Sequence, residues 1–186
     1  MVVLEPLAPR HQEPLARAAR HPEVWEWVDH PGHEPDGFAR WFAFSLEDAG
    51  AGREAPYATL DAGTGAPIGS TRFLELRPEH RSLEIGWTWL TPAAWRTGAN
   101  VEAKLLMLEH AFERMDCARV ELKTDARNAR SRAAMAALPA QFEGIHRKHR
   151  LLSDGSFRDS AWYSVIDEEW PGVRASLERR LADWRA

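Results

Sequence analysis

The spacing of apolar residues predicts short strands that alternate with amphipathic helices. Apolar positions two residues apart predict strands in "VVLEPL", "PYATLD", "PIGSTRFLELR" and "RSLEIGWTWL". Spacings of three and four residues predict helices from about Arg10 to Arg20, over "PEVWEW" and from Pro35 to Asp48. A longer helix after Thr91 carries one apolar stripe, formed by Val101, Leu105, Leu108, Phe112 and Met115.

The second half of the chain continues the alternation. "CARVELKTD" predicts a strand and "NARSRAAMAAL" a helix, followed by a hairpin of "QFEGIHRKHRLL" and "FRDSAWYSVID" and by a closing charged helix. Consecutive strands predict an antiparallel meander, and the crossover helix after Leu90 predicts one parallel pair. We therefore expect a mixed α/β fold over residues 1–186, with about seven mostly antiparallel strands and helices on both faces.

The strand "RSLEIGWTWL" sets the expected orientation of several side chains. Strict alternation places Leu83, Ile85, Trp87 and Trp89 on one face, and Glu84, Gly86 and Thr88 on the other. Nine tryptophans in 186 residues indicate either a bulky aromatic core or an aromatic-lined groove, and the count alone does not separate the two.

Bulk composition excludes several classes of protein. No apolar run reaches the length of about 20 residues that a membrane span needs, and the N-terminal stretch lacks the pattern of a signal peptide. The formal charge of −4 disfavours general nucleic-acid binding, and the single cysteine, Cys117, excludes an internal disulfide. We expect a cytoplasmic protein without membrane or nucleic-acid partners, and the composition leaves a homodimer open.

The loop "TPAAWRTGANVEA" has the features of an anion cradle. A helix begins with about four N–H groups that lack partners, and its dipole adds partial positive charge there. Gly98 leaves room for close approach and Arg96 adds a cation, an arrangement suited to phosphate. A plain strand-to-helix turn is the alternative that the loop alone leaves open. Two other phosphate motifs are excluded, because the chain has no Gly-Lys pair and its strand glycines have the wrong spacing for a dinucleotide fingerprint.

"EIGWTWLTPAAWRTGANVEA", with "DARNARSRAAMAAL" about 35 residues later, resembles the GCN5-related N-acetyltransferase (GNAT) superfamily. The resemblance is greatest to its ribosomal-protein N-terminal acetyltransferase-like branch. It implies acetyl-coenzyme A (acetyl-CoA) as the donor and direct transfer to a primary amine in a ternary complex. Protein N-termini and small amines are both acceptors within this branch.

The resemblance also implies which residues hold the cofactor. The pantetheine arm is expected beside the strand end at Trp89 and Leu90, and Asn128 and Ser131 match the family's Asn-x-x-Ser pattern. The pyrophosphate is expected on the loop residues Arg96, Thr97, Gly98, Ala99, Asn100 and Val101. The sequence departs from the family pattern with Trp95 and Asn100 at the ends of the loop motif and with Pro139 after the following helix.

Amine transfer needs a proton acceptor, because amines are mostly protonated at neutral pH. Glu84 is the candidate base, with an ion-paired structural carboxylate as the alternative. A backbone N–H near Trp89 or Leu90 would stabilise the carbonyl oxygen as it gains charge. Ser131 would return a proton to the thiolate, although a helix serine is equally often structural.

The remaining reactive residues are interpreted as structural rather than catalytic or metal-binding. Cys117 could carry an acyl group but is interpreted as a small buried hydrophobe. His146 and His149, an odd number apart, are expected on different strand faces, and we predict no metal site.

The basic segment "HRKHR" could touch a phosphate, an acidic substrate or nucleic acid, and a solvated strand is the default. Around Trp25 and Trp27, acidic residues could receive a cationic amine; they are Glu26, Asp29, Glu34 and Asp36. Two rival functions stay open at this point. They are a non-catalytic acyl-CoA-binding module and, less favoured, a nucleic-acid-binding module.

Overall fold

The computed structural model describes residues 1–185, which form seven strands and six α-helices. The strands are Val2–Pro6 (β1), Ala55–Asp61 (β2), Pro67–Arg77 (β3), Ser82–Leu90 (β4), Arg119–Asp125 (β5), Gln141–Leu151 (β6) and Phe157–Ile166 (β7). The helices are Gln12–Ala19 (α1), Pro22–Trp25 (α2), Pro35–Gly50 (α3), Ala99–Glu113 (α4), Ala129–Ala137 (α5) and Trp170–Arg185 (α6). Over residues 1–185, no helix is long and apolar enough to cross a membrane.

All seven strands join one sheet in the order β1-β2-β3-β4-β5-β7-β6. Every neighbouring pair is antiparallel except β4 and β5, which are parallel. The mixed α/β fold that the sequence predicts, with one parallel pair after the crossover helix, is therefore confirmed.

The parallel pair is short, and this opens the sheet. β4 and β5 pair only from Ser82–Glu84 to Arg119–Glu121, although β4 continues to Leu90 and β5 to Asp125. Beyond Glu84 the two strands separate. The sheet therefore has a wedge-shaped gap at its centre, and the loop that follows Leu90 lies at the wide end of β4.

The two faces of the sheet carry different cores. One face packs against α4 and α6 through Leu83, Ile85, Leu108, Val120 and Leu177. The opposite face packs against α1, α2 and α3, where the rings of Trp25, Trp41 and Trp89 lie within 5.8 Å of one another. With Trp170 in the core of the other face, four of the nine tryptophans therefore belong to the hydrophobic core.

A β-bulge in β4 overturns the predicted alternation of that strand. Trp87 has a φ of 48°, and the register with β3 jumps between the pairs Arg72–Gly86 and Ser70–Trp89. An inserted residue reverses the facing of all that follow it. Trp87 and Trp89 accordingly pack with α1–α3, whereas Leu83 and Ile85 face α4, so the prediction of one common face for all four is wrong.

Helix α4 also buries a different stripe from the predicted one. Its buried residues are Ala99, Glu102, Ala103, Lys104, Met107, Leu108 and Ala111. Val101, Leu105 and Phe112 are only partly buried, and Met115 lies beyond the helix with 43% of its surface exposed. Small residues face the sheet because α4 packs close to it, and the larger apolar side chains flank that contact.

Candidate functional site

Four backbone N–H groups are free at the start of α4. The N–H of Glu102 donates to the carbonyl oxygen of Gly98 at 3.0 Å and forms the first helical hydrogen bond. The preceding N–H groups, of residues 98–101, donate to no other residue within the described range 1–185. Their donors and the positive end of the helix dipole together form a site for an anion, directly beside the gap between β4 and β5.

Gly98 is required here for two reasons. Its φ of 83° lies in the left-handed region, which favours glycine. A Cβ at this position would also lie 3.2 Å from Cγ of Trp184 on α6, which is tighter than ordinary packing. The side of Gly98 where a side chain would stand is thus occupied by Trp184 rather than left open for a ligand, and the free N–H groups remain the anion-binding feature.

The rest of the loop is fastened to its surroundings. Trp95 donates from Nε1 to the carbonyl oxygen of Leu90 at 2.8 Å, and Thr97 donates from Oγ1 to the carbonyl oxygen of Ala94 at 2.7 Å. The guanidinium of Arg130 on α5 lies 4.2 Å from the Trp95 ring, within range of a cation–π contact. Arg96 is exposed, with a φ of 59°. Trp95, a departure from the family pattern, therefore ties the loop to both β4 and α5.

Asn128 and Ser131 lie in the first turn of α5. Oδ1 of Asn128 accepts a hydrogen bond from the N–H of Ser131 at 3.0 Å and so caps the helix. Asn128 is 7% exposed, and Ser131 is half-buried. The cap occupies the amide oxygen of Asn128, so the side-chain Nδ2 is the group that has donors to offer a ligand.

Glu84 is a buried member of an ion pair. It is 2% exposed, and its Oε2 accepts a hydrogen bond from Nζ of Lys123 on β5 at 2.5 Å. Burial raises the pKa of Glu84, while Lys123 opposes that shift. The carboxylate thus lies at the last paired residue before the strands separate, paired with a cation, and is a stronger base than an exposed glutamate.

Lys104 is a buried cation near the bulge in β4. From α4 its Nζ donates to Oγ1 of Thr88 at 2.6 Å, and Oγ1 of Thr71 lies at 3.5 Å. Burial lowers the pKa of Lys104 to about 7, and the charge of Glu84 counteracts part of this shift. Lys104 thereby joins α4 to β3 and β4 at the bulge in β4.

The face of β5, β7 and β6 beyond the helices α1–α3 carries an aromatic and cationic cluster. Trp162 lies at its centre, with His146 stacked at 4.3 Å and His149 edge-on at 5.0 Å between ring centroids. Nζ of Lys123 lies 5.0 Å from the Trp162 ring. The expectation that the two histidines cannot share a face is wrong, because a bulge between His146 and Arg150 shifts the register.

A groove of about 680 Å³ lies between the α2 region and the tip of the β6–β7 hairpin. Its lining includes Trp27, Asp125, Arg127, Asp154 and Arg158. Asp29 bridges the two sides, because its carboxylate accepts hydrogen bonds from the N–H of Ser153 at 3.0 Å and from its Oγ at 2.5 Å. Hydrogen bonds between distant segments therefore link the two sides of the groove.

Only some of the aromatic and acidic residues predicted to receive an amine line the groove. Trp25, Glu26, Trp27 and Asp29 all line the groove, and Trp25 is otherwise buried in the core. Glu34 and Asp36 are exposed at the start of α3 and do not line it. The nine tryptophans thus serve both of the uses that composition left open, a core and a groove.

Cys117 and the basic segment "HRKHR" also have defined positions. Cys117 is 6% exposed, and burial raises the pKa of its thiol. A protonated, buried thiol is a poor nucleophile. The basic segment lies on β6, where Arg147 and Lys148 are exposed.

The comparisons with known proteins decide the family. Residues 2–141 match the model of the acetyltransferase (GNAT) domain. The chain belongs to the GNAT acetyltransferases. It is accordingly an acetyl-CoA-dependent acetyltransferase, and acetyl-CoA supplies the group transferred in this family. No curated protein matches the chain.

Solved structures support the same assignment for this GNAT member. A presumed acetyltransferase from T. thermophilus is 40% identical, with a TM-score of 0.84 over 97% of this chain and 93% of the other. A GCN5-related N-acetyltransferase from Brucella melitensis is 27% identical, with a TM-score of 0.87 over 96% and 81%. Mycobacterium smegmatis RimJ, in complex with CoA-disulfide, shares the fold at 22% identity and a TM-score of 0.81 over 98% and 88%.

The residues predicted from the sequence do not include three cations near the gap, Lys104, Lys123 and Arg158. The first two show why. Lys104 lies four residues before Leu108, on the face that a hydrophobic stripe would reserve for an apolar residue. Lys123 alternates with buried Leu122 and therefore has the pattern of an ordinary solvent-facing strand residue. Neither position shows in sequence that its charge is enclosed by tertiary contacts.

Proposed function

We propose that the protein transfers the acetyl group of acetyl-CoA to a primary amine, either a protein N-terminal α-amine or a small amine. Transfer occurs by direct attack in a ternary complex. The observation that carries this proposal is the set of four free N–H groups at the start of α4, placed beside a gap that exposes the edge of β4. The complex of M. smegmatis RimJ with CoA-disulfide adds support from a protein of the same fold.

The residues present fit acetyl-CoA, which supplies the acetyl group as an activated thioester. The N–H groups from Arg96 to Val101 hold the pyrophosphate, and the pantetheine arm lies along β4 towards Trp89 and Leu90. Nδ2 of Asn128 donates to the arm, because its Oδ1 is occupied by the helix cap. An N–H at Trp89 or Leu90 stabilises the charge that develops on the acetyl oxygen.

Glu84 is the base in this proposal. Its buried carboxylate has a raised pKa and lies where β4 and β5 begin to separate. It takes the proton of the attacking amine directly or through one water. Lys123 holds the carboxylate in place and keeps it ionised before the acceptor binds.

Ser131 is proposed to relay a proton from water to the departing thiolate, so that its hydroxyl gives one proton to sulfur and takes one from solvent. It lies in the first turn of α5, half-buried, with its backbone N–H fixed by Asn128. Because Cys117 is buried and its thiol pKa is raised, a covalent acetyl-cysteine step is disfavoured relative to direct attack.

The rival function is a module that binds acyl-CoA without turnover. Burial of Glu84 in the gap favours the enzyme, because a sensing module has no use for an enclosed carboxylate with a raised pKa. The experiment measures thiol release from acetyl-CoA with a panel of peptides and small amines, alongside calorimetric binding of CoA. Turnover with any amine supports the proposal, CoA binding without turnover favours the sensor, and absence of both overturns the site.

A further inference from the structure

The groove lining is mixed in charge, with four carboxylates and two guanidinium groups, and one of the guanidinium groups, that of Arg158, lies opposite a further arginine on β6. Arg150 on β6 and Arg158 on β7 are register partners, so their side chains leave the sheet on the same face. Like charges directly opposite each other on adjacent strands are unfavourable. A chain that keeps this arrangement next to a groove gains from a negative charge that lies between or beside the two guanidinium groups.

Arg158 is the central cation of this arrangement. It is half-buried and lines the groove, and its Nε donates to Oγ of Ser160 at 3.1 Å. Within residues 1–185, no carboxylate lies within ion-pair distance of its guanidinium. A half-enclosed guanidinium with four further N–H donors has the chemistry to bind a carboxylate or phosphate in a bidentate manner.

Three acidic residues of this region, Asp125, Asp154 and Asp159, form hydrogen bonds with groups other than Arg158. Both oxygens of Asp125 accept hydrogen bonds from the side chain of Arg127, at 3.0 and 2.8 Å. Oδ1 of Asp159 accepts from the N–H of Lys148 at 2.7 Å, and Oδ1 of Asp154 accepts from the N–H of Ser156 at 2.8 Å. None of these carboxylates forms an ion pair with Arg158, so its free N–H donors are available to a ligand.

The pKa of His149 is a second indication that this region carries positive charge. Its Nδ1 lies 3.0 Å from Oγ of Ser160, the same hydroxyl that Arg158 contacts. Burial lowers the pKa of His149, and the charges of Lys123, Arg158 and Arg150 lower it further. Asp125 and Glu84 are the acidic groups that act on the neighbouring Arg158. Arg158, Arg150 and Lys123 thus place positive charge around the His149 ring.

The position of Arg158 relative to Glu84 sets the length of the ligand. The guanidinium of Arg158 contacts Ser160, which lies two residues before Trp162 on β7. Trp162 is the register partner of Lys123, the residue that pairs with Glu84. From strand spacings of about 4.8 Å and a rise of about 3.3 Å per residue, the guanidinium and Glu84 are separated by on the order of 10 Å. Two or three extended residues span that distance.

We propose that the acceptor amine carries an anionic group, which binds Arg158 while the amine lies towards Glu84. This inference rests on the proposed transfer to an amine and specifies its substrate class. Two sources present the same chemistry. One is a peptide with an acidic side chain at its second or third residue, and the other is a small ω-amino acid of equal reach.

Matched acid and amide acceptors test the inference. The pairs are Ser-Glu-Ala-amide with Ser-Gln-Ala-amide, and 6-aminohexanoate with its amide. In the wild-type protein we expect kcat/KM for each acid that fits the groove to be about ten times, or more, the value for the matching amide. Arg158→Gln should lower that ratio to near one, with most of the loss in KM, and Arg158→Lys should retain part of it.

Arg147→Gln is the control, because it removes the same charge from the exposed part of the same hairpin, away from the groove. It should leave the ratio unchanged. A wild-type ratio near one for both pairs, or a ratio that survives Arg158→Gln, overturns the inference. Preference for only one pair identifies the source as peptide or small amino acid.

Calorimetry with the same acids and amides separates this inference from the proposed transfer. If no amine is acetylated but the acids bind tenfold more tightly than the amides in an Arg158-dependent way, the transfer proposal fails and the anion site stands. If amines are acetylated and neither acid is preferred in binding or turnover, the anion site fails and the transfer proposal stands.

Discussion

Nζ of Lys123 lies 2.5 Å from Oε2 of Glu84, and this buried ion pair joins β5 to β4 at the last residue pair before the strands separate. Each partner limits the freedom of the other. Desolvation of Glu84 raises its affinity for a proton, while Lys123 favours the ionised form. In the proposed mechanism, an arriving amine therefore meets a carboxylate that is held in place by Lys123 and shielded from bulk water.

Glu84→Gln should lower kcat by a factor of about 10²–10⁴, the usual contribution of a positioned base. The amide is nearly the same size and can still accept a hydrogen bond from Lys123, so CoA affinity should change little. Steady-state kinetics and calorimetry measure the two quantities. Full activity of the Gln variant would remove Glu84 from the mechanism.

The pH dependence of the wild-type enzyme should reveal the same carboxylate. The base must be ionised, so kcat/KM falls as the pH drops through the pKa of Glu84. Burial raises that pKa, so the decline should begin at a higher pH than for an exposed glutamate. The charge of exposed Glu75 also raises the pKa of Glu84. Glu75→Gln should therefore keep kcat and move the acid limb to lower pH, whereas an unmoved limb would argue against Glu84 as its origin.

Gly98→Val should weaken CoA binding by about tenfold or more. A valine at a φ of 83° is strained, and its Cβ would contact Trp184 at 3.2 Å, so the start of α4 must shift. Calorimetry with CoA and with pantetheine makes the test specific, because only CoA carries the pyrophosphate. Trp184→Ala combined with Gly98→Val relieves the contact but not the backbone strain, so CoA affinity should recover only partly. Equal losses for both ligands would contradict the pyrophosphate site.

The fold was predictable because its signals are local and repeated. Alternation in "PYATLD" and "CARVELKTD" and the long helix after Thr91 fix the elements, and the crossover fixes the parallel pair. The free N–H groups at residues 98–101 were also predictable, because every helix start leaves such donors.

The side-chain arrangement of the site was less predictable because bulges decide it. One inserted residue at Trp87 moves Trp87 and Trp89 to the opposite face of the sheet. Another bulge before Arg150 lets His146 and His149 both contact the Trp162 ring. A bulge leaves no reliable trace in a pattern of alternating residues. The pairing of Glu84 with Lys123 depends on a contact 39 positions apart in the sequence, and no local spacing encodes it.

Asn128→Asp should separate the two roles of Asn128. Aspartate keeps the oxygen that caps α5 and favours the helix N-terminus, so stability should hold. It loses the Nδ2 donors, so CoA affinity should fall by roughly tenfold. Asn128→Ala should lose both the affinity and about 1 kcal/mol of stability. Chemical denaturation and calorimetry provide the measurements, and unchanged CoA affinity in the Asp variant would exclude Nδ2 as a ligand.

Lys104→Met should stabilise the protein at neutral and acidic pH. Burial lowers the pKa of Lys104 from 10.5 to about 7, so between these values the unfolded chain binds more protons than the folded one. The wild type must then gain stability from this group as the pH rises above 7, and the penalty is full below 7. Methionine removes that penalty, a gain of roughly 2–5 kcal/mol at pH 6, while Thr71 and Thr88 still bond each other at 2.8 Å. Urea unfolding at pH 6 and pH 9 should show the gain shrinking at the higher pH, and Lys148→Met, at an exposed lysine, should show no such trend. A Lys104→Met variant that is less stable than wild type at pH 6 would mean that its hydrogen bond to Thr88 outweighs the cost of burying the charge.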